Sequence, residues 1–196
     1  MTFEHLISAD VPDVQAIAIH LDGLDPTARL AAVARLTRRQ QGRLFDAVDD
    51  FLPLSLDDFV PASMPRLVEV VHEGNNGLPA FRRFAKVFCR PDECTGAGDE
   101  LWGYNRNSWL VETAVGPGYF VAYVEKPGEV LIDYHHVPPR SIPGWPPVLP
   151  NSARLGRFVY HRMQDVVRKV SAHVSVGRVR RGGRMYDQWF VLCRQG

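Results

Sequence analysis

Apolar residues in the first third of the chain recur at helical spacing. The pattern predicts one helix over residues 12–21 and another over residues 26–51, each opened by a proline in its first turn. A hinge in the second helix is predicted near Gly42, because glycine weakens a helix interior. Residues 1–62 are too few to bury a large core of their own. We therefore expect this helical segment to pack on the rest of the chain.

After Pro65 the pattern changes to short runs of β-branched and aromatic residues separated by turn residues. These runs predict strands over residues 67–72, 81–89, 100–105, 108–115, 119–125, 130–137, 173–181 and 184–194. Gly182-Gly183 is a two-residue hairpin turn between the last two runs. The valines of the first hairpin strand change parity after Gly177, which predicts a β-bulge there.

One segment interrupts the strand pattern near the C-terminus. Apolar residues between Leu155 and Val170 recur at spacings of three and four, which predicts an amphipathic helix over residues 152–171. The predicted fold is α+β, with N-terminal helices packed on a curved antiparallel meander of about seven to eight strands. In this arrangement residues 63–196 form the main domain, and the long amphipathic helix precedes the C-terminal hairpin.

Composition narrows the class of protein. The chain has 196 residues and is 45% hydrophobic, which suits a globular protein with a substantial core. No apolar run approaches the ~18–20 residues of a membrane-spanning helix, and the first ten residues do not resemble a secretory signal. The odd cysteine count is typical of a reducing cytoplasm, where we expect the protein. Only three of the 23 basic residues are lysine, a bacterial-like bias.

Aromatic and amide residues cluster in and after the segment 102–109. Aromatic rings beside an arginine and amide groups are typical of a ligand site, although a polar turn between core tryptophans has the same composition. The predicted ligand-binding residues are Trp102, Tyr104, Asn105, Arg106, Trp109, Tyr119, Tyr123 and Tyr134. The leading hypothesis is a non-catalytic protein that holds a small, largely apolar or aromatic ligand in a cup between the curved sheet and the helix. Arg106 would meet an acidic head group.

An acid–base pair is an alternative hypothesis. On a strand, Asp133 and His135 share one face and Tyr134 and His136 share the other, so an aspartate could orient an imidazole. Glu112 could complete the catalytic group. These residues are too few for a metal site, and we expect neither a metal nor a cofactor. No nucleotide-binding or common hydrolase motif is present.

A further alternative is a protein–protein interaction or regulatory module. Residues 151–196 carry ten basic and two acidic side chains, and four arginines surround the turn of the C-terminal hairpin. This basic hairpin and the proline-rich loop around Trp145 would form the surface for a protein partner. The arginines lack an aromatic platform, so nucleic acid is not the expected partner. A sheet edge would allow a homodimer.

Overall fold

Eight antiparallel strands form a closed barrel that follows five helices in the described part of the chain. The computed structural model describes residues 3–78, 82–93, 98–106, 116–148 and 163–195. The helices are α1 (Phe3–Ser8), α2 (Val14–Asp22), α3 (Pro26–Ala34), α4 (Arg38–Ala47) and α5 (Leu56–Phe59). The strands are β1 (Val70–Asn76), β2 (Arg83–Cys89), β3 (Leu101–Arg106), β4 (Tyr119–Lys126), β5 (Glu129–Asp133), β6 (Met163–Lys169), β7 (Val174–Arg181) and β8 (Arg184–Arg194). None of the described helices is long and apolar enough to cross a membrane.

The barrel closes where the last strand pairs with the first. The register of β8 and β1 runs from His72 opposite Arg194 to Asn76 opposite Phe190. The predicted combination of helices with an antiparallel meander is confirmed, but the predicted open, curved sheet is wrong. Closure also pairs the strand edges on which the predicted homodimer depended.

The prediction of an amphipathic helix over residues 152–171 is wrong for the part of this segment that the structure describes. Residues 163–169 form β6, and residues 152–162 lie outside the described part of the chain. Val167 faces the barrel interior, whereas Val166 packs outside against the helices. Because both faces of β6 are covered, apolar residues occur on both parities and imitate helical spacing.

The predicted C-terminal hairpin is present as β7 and β8, joined by Gly182 and Gly183 with positive φ angles. The predicted strand over 130–137 ends early, at Asp133, and the strand predicted over 108–115 lies outside the described residues. Tight glycine turns thus locate strands well, whereas strand ends that lead into long loops are harder to place from sequence.

Three glycines of the barrel wall lie under phenylalanine rings. The cross-strand pairs are Gly74 with Phe84, Gly103 with Phe120, and Gly177 with Phe190. A Cβ added at any of these glycines would lie within 2.5 Å of the paired ring. The glycines therefore make room for three interior rings, a known way to shape a closed sheet.

This pairing explains why the bulge predicted at Gly177 is wrong. Gly177 stays in register with Phe190, and the register shift lies between Arg178 and Arg180. An irregularity in strand register does accompany the change of valine parity, as predicted, but it lies one or two residues after Gly177. Gly177 serves the ring packing instead.

Residues 54–60, which include α5, lie across one end of the barrel, here called the α5 end. Leu56 and Phe59 belong to the same buried cluster as the interior side chains Phe88 and Leu192. His72 Nε2 lies 2.9 Å from the Phe59 carbonyl oxygen, to which it donates. Burial lowers the pKa of His72 to about 4, so the imidazole is neutral at neutral pH.

Helices α1 to α4 cover the outer face of β6 to β8 and bury a second apolar cluster. The predicted hinge near Gly42 is wrong, because the break lies at Thr37, which caps α4 together with Gln40. Gly42 lies inside α4, where a Cβ would be 3.2 Å from the Trp189 ring. The glycine is a close-packing position between helix and barrel.

Candidate functional site

Four polar side chains meet inside the barrel, toward the end opposite α5. Lys86 comes from β2, Asn105 from β3 and Asp165 from β6, and Tyr134 directly follows β5. Each is at most 4% exposed. These residues, here called the polar cluster, share the inward parity of Phe84, Met163 and other interior side chains, so strand alternation aims them at one another.

The lysine is at the centre of the polar cluster. Its Nζ lies 3.2 Å from Asp165 Oδ2 and 2.9 Å from Asn105 Oδ1, and it donates to the Tyr134 hydroxyl. An ammonium has three protons, and these contacts accept all of them. The Tyr134 hydroxyl also lies 3.3 Å from Asp165 Oδ2. Lysine, amide, phenol and carboxylate therefore form one connected network.

One oxygen of this network has no partner. Asp165 Oδ1 is buried and accepts no hydrogen bond from any described residue. An unsatisfied buried acceptor costs about 1–3 kcal/mol, and more when the group is charged. Such an atom calls for an explanation beyond packing.

Aromatic rings surround the lysine. Its Nζ lies 5.0 Å from the Tyr134 ring centroid and 5.2 to 5.6 Å from the centroids of the three phenylalanines that cover the wall glycines. At these distances the faces of aromatic rings attract a cation. The glycine–phenylalanine pairs thus also build an aromatic box around Lys86.

Burial dominates the electrostatics of the pair. It lowers the pKa of Lys86 and raises the pKa of Asp165, while their mutual attraction opposes both shifts. The apolar interior therefore favours transfer of a proton from the ammonium to the carboxylate, compared with the same pair in water.

A second candidate region is a cleft of about 740 Å³ beside α5, here called the outer cleft. Its walls include Asp57, Arg90, Glu100, Tyr123 and His136. The volume is within the range of small-molecule sites, about 300–1,000 Å³. Charged and aromatic groups therefore line a cavity large enough for a small molecule.

A buried aspartate orients a histidine at this outer cleft. Asp133 accepts hydrogen bonds from the Tyr123 hydroxyl at 3.3 Å, from the His135 backbone N–H at 2.9 Å and from His136 Nδ1 at 2.9 Å. The predicted sharing of faces is wrong: β5 ends at Asp133, and the chain bends so that His136 makes the close contact. His135 Nδ1 lies 3.8 Å from the same carboxylate. Burial and the neighbouring Asp133 raise the pKa of Tyr123 to about 12.

Most of the predicted aromatic ligand residues form an apolar cluster on the outer face of the barrel. Trp102, Tyr104 and Tyr119 are buried there against Trp145, whose ring centroid is 4.9 Å from that of Tyr104. Arg106 pairs with an acidic side chain of the chain itself: its Nη2 contacts Glu69 at 2.9 Å.

Of the eight predicted ligand residues, only Asn105 and Tyr134 are in the polar cluster, and Tyr123 lines the outer cleft. Trp109 and Glu112 lie outside the described residues. In the part of the chain that the structure describes, no group of three histidine, cysteine or acidic side chains is arranged to hold a metal.

The predicted interaction surface combines the basic C-terminal hairpin with the proline-rich loop around Trp145. Trp145 is only 7% exposed, so the proline-rich loop does not offer it to a partner. Two hairpin arginines have acidic partners within the chain, Arg178 with Asp187 and Arg180 with Glu125. The basic hairpin as a docking surface remains a prediction.

Sequence reasoning missed the two charged members of the polar cluster. Lys86 is the one charged residue in the run Phe84 to Cys89, and it shares inward parity with Phe84 and Phe88. A single charge in an apolar strand indicates a buried polar group, so Lys86 is identifiable from the sequence. Asp165 gives no such signal, because it falls within the amphipathic helix that the spacing predicts over residues 152–171, where a charged residue is ordinary.

No protein-family model, no curated protein and no solved structure matches this chain. The two candidate regions are therefore interpreted from their own chemistry.

Proposed function

We propose that this protein binds a small, largely apolar or aromatic molecule inside the barrel, against the polar cluster. The observation that carries the proposal is Asp165 Oδ1, which is buried and accepts no hydrogen bond from the described residues, in a polar cluster next to the apolar core of the barrel. The mouths and interiors of barrels are common ligand sites. The proposal moves the ligand from the cup between sheet and helix, which the sequence predicts, to the interior of the closed barrel.

The unused hydrogen-bonding capacity of the polar cluster indicates which polar group the ligand carries. All three protons of Lys86 are already accepted, whereas Asp165 Oδ1 can accept one more. The ligand therefore carries an O–H or N–H donor for this oxygen. The rings of Phe84 and Phe120 supply an apolar surface for the rest of the molecule.

Stability alone does not explain the polar cluster. A buried ion pair is often no more stabilising than well-packed apolar residues of the same volume. Strongly perturbed, buried ionisable groups are instead concentrated at functional sites. The Lys86–Asp165 pair belongs to this class.

The test compares phenol with toluene, two rings that differ by one hydrogen-bond donor. We expect phenol to raise the Tm of the protein more than toluene does, because ligand binding stabilises the folded state. The matched control is the double variant Lys86→Met with Asp165→Leu, in which the advantage of phenol disappears. Equal shifts for the two compounds in the unsubstituted protein would contradict the proposal.

The outer cleft supports a second candidate function, acid–base catalysis by His136. The favouring observation is the 2.9 Å contact between His136 Nδ1 and the buried Asp133 carboxylate. This contact fixes the ring and leaves Nε2 for proton transfer, as a general base requires.

Hydrolysis of p-nitrophenyl acetate tests the second candidate. We expect His136→Gln to lower the rate by about 10²-fold, which is typical for loss of a general base. His135→Gln is the matched control, because His135 is the neighbouring imidazole beside the same Asp133. Equal rates for the two variants would remove this candidate.

A further inference from the structure

We propose that Lys86 forms an imine with the carbonyl group of an aldehyde or ketone ligand that also carries the O–H or N–H donor for Asp165 Oδ1. This inference rests on the proposed function, because the ligand must enter the barrel before it can react. Three features carry the inference: an enclosed amine, a carboxyl group within proton-transfer distance, and an aromatic box that excludes water.

The enclosure distinguishes Lys86 from the other two lysines of the chain. The Lys86 side chain is 3% exposed, whereas that of Lys126 is 52% exposed and that of Lys169 is 21% exposed. Amines in apolar surroundings are the ones that act as Schiff-base nucleophiles, because burial favours the neutral amine.

Asp165 is the proton carrier for the reaction. An ammonium has no lone pair, so its proton must leave before nitrogen can attack, and Asp165 Oδ2 is 3.2 Å away. Burial lowers the pKa of the amine and raises that of the carboxyl, which supports this transfer. Oδ1 has no hydrogen bond to a described residue and is free to exchange protons with the ligand.

The steps balance without an oxidant or a reductant. The neutral Nζ of Lys86 attacks the carbonyl carbon, and the carbonyl oxygen takes the proton held by Asp165. The carboxylate then removes a proton from the nitrogen, which gives a neutral carbinolamine. That proton passes to the hydroxyl, the C–O bond breaks, and water leaves. An ammonium and a carbonyl have become a protonated imine and water, and the iminium stays paired with Asp165.

The surroundings favour the product as well as the reaction. The iminium carries the same charge as the ammonium, so the ion pair with Asp165 is retained. Tyr134 and Asn105, which contact Nζ, are positioned to orient the carbinolamine oxygen. A closed apolar site protects a reactive intermediate from hydrolysis. An aldehyde with an aromatic or aliphatic body suits this environment.

Reductive trapping with 4-hydroxybenzaldehyde and sodium cyanoborohydride tests the inference on the full chain. At neutral pH the reagent reduces an imine to a stable benzylamine, which peptide mass spectrometry assigns to one lysine. We expect Lys86 to be labelled about tenfold faster than Lys126, because burial lowers the pKa of Lys86 and favours its neutral, nucleophilic form. Lys126 and Lys169 are internal references, so the measurement needs no variant that could fail to fold.

Labelling in urea is the control for the folded environment. There the three lysines should react at similar rates. Preferential labelling of Lys126 in the folded protein, with Lys86 unmodified, would overturn the inference. If phenol still stabilises the protein better than toluene in that case, the proposed function stands and only the imine fails. If phenol gives no advantage either, both are contradicted.

Discussion

The two halves of the barrel interior differ in chemistry although the same strands build both. Toward the α5 end, Phe88, Leu101, Ile132 and Leu192 form an apolar core that residues of α5 complete. Toward the opposite end, the interior holds a lysine, an aspartate, an amide and a phenol. Well-packed apolar residues are often at least as stabilising as a buried ion pair of the same volume. The polar half is therefore the part of the interior that needs a functional explanation.

The largest expected change in stability comes from a substitution in the polar half of the interior. Lys86→Met leaves the Asp165 carboxylate buried without its cation, and should lower the free energy of unfolding by about 3–5 kcal/mol. Combining it with Asp165→Leu removes both charges and should restore most of that loss. Urea unfolding of the single and double variants measures the two values. A double variant as unstable as the single one would mean that the pair itself holds the fold together.

The next largest expected change in stability comes from crowding the phenylalanine rings that cover the wall glycines. Gly103→Ala places a Cβ 2.3 Å from the Phe120 ring, so the ring must shift inward from the wall and change its position beside Lys86. Overpacking of this kind costs about 1–3 kcal/mol. Gly98→Ala is the matched control, because its Cβ would meet no atom within 4 Å. Thermal unfolding that gives the same Tm for both variants would contradict the ring packing.

A pH-dependent effect of similar size concerns the apolar half and its buried imidazole, His72. The pKa of His72 falls from 6.5 to about 4 on folding, so the unfolded chain binds the proton more strongly. The stability from a neutral His72 is fully present above pH 6.5 and is lost as the pH falls toward 4. Between pH 7 and pH 5 the loss should be about 2 kcal/mol.

Urea unfolding at the two pH values measures this loss. His72→Phe should reduce the pH dependence, because phenylalanine has no proton to bind. A pH dependence that is unchanged in this variant would show that another group is responsible.

The sequence predicted the parts of the fold that have simple local signals. The hairpin across Gly182-Gly183 and the start of β4 at Tyr119 follow from turns and alternation. β6 was mistaken for a helix because the N-terminal helices cover its outer face, and that cover is not visible in a local pattern. Closure depends on the pairing of β1 with β8, the first and last strands of the chain, which no local rule gives.

The candidate site was only partly predictable for the same reason. Asn105 and Tyr134 were among the predicted ligand residues, but they were chosen for the aromatic composition around them. Their partners Lys86 and Asp165 come from distant strands, and only the closed barrel brings them within 3.2 Å of each other. The sequence predicts that Asp133 shares a face with His135, whereas His136 makes the closer contact, because β5 ends at Asp133 and the alternation of faces ends with it.

Native mass spectrometry of the purified protein tests the central claim most directly. The account predicts a mass excess in the native spectrum that disappears on denaturation, and that is absent from the double variant Lys86→Met with Asp165→Leu. A ligand carried equally by both proteins would place the binding site elsewhere. A bare mass for the unsubstituted protein, together with no response to phenol, would contradict a ligand in the barrel.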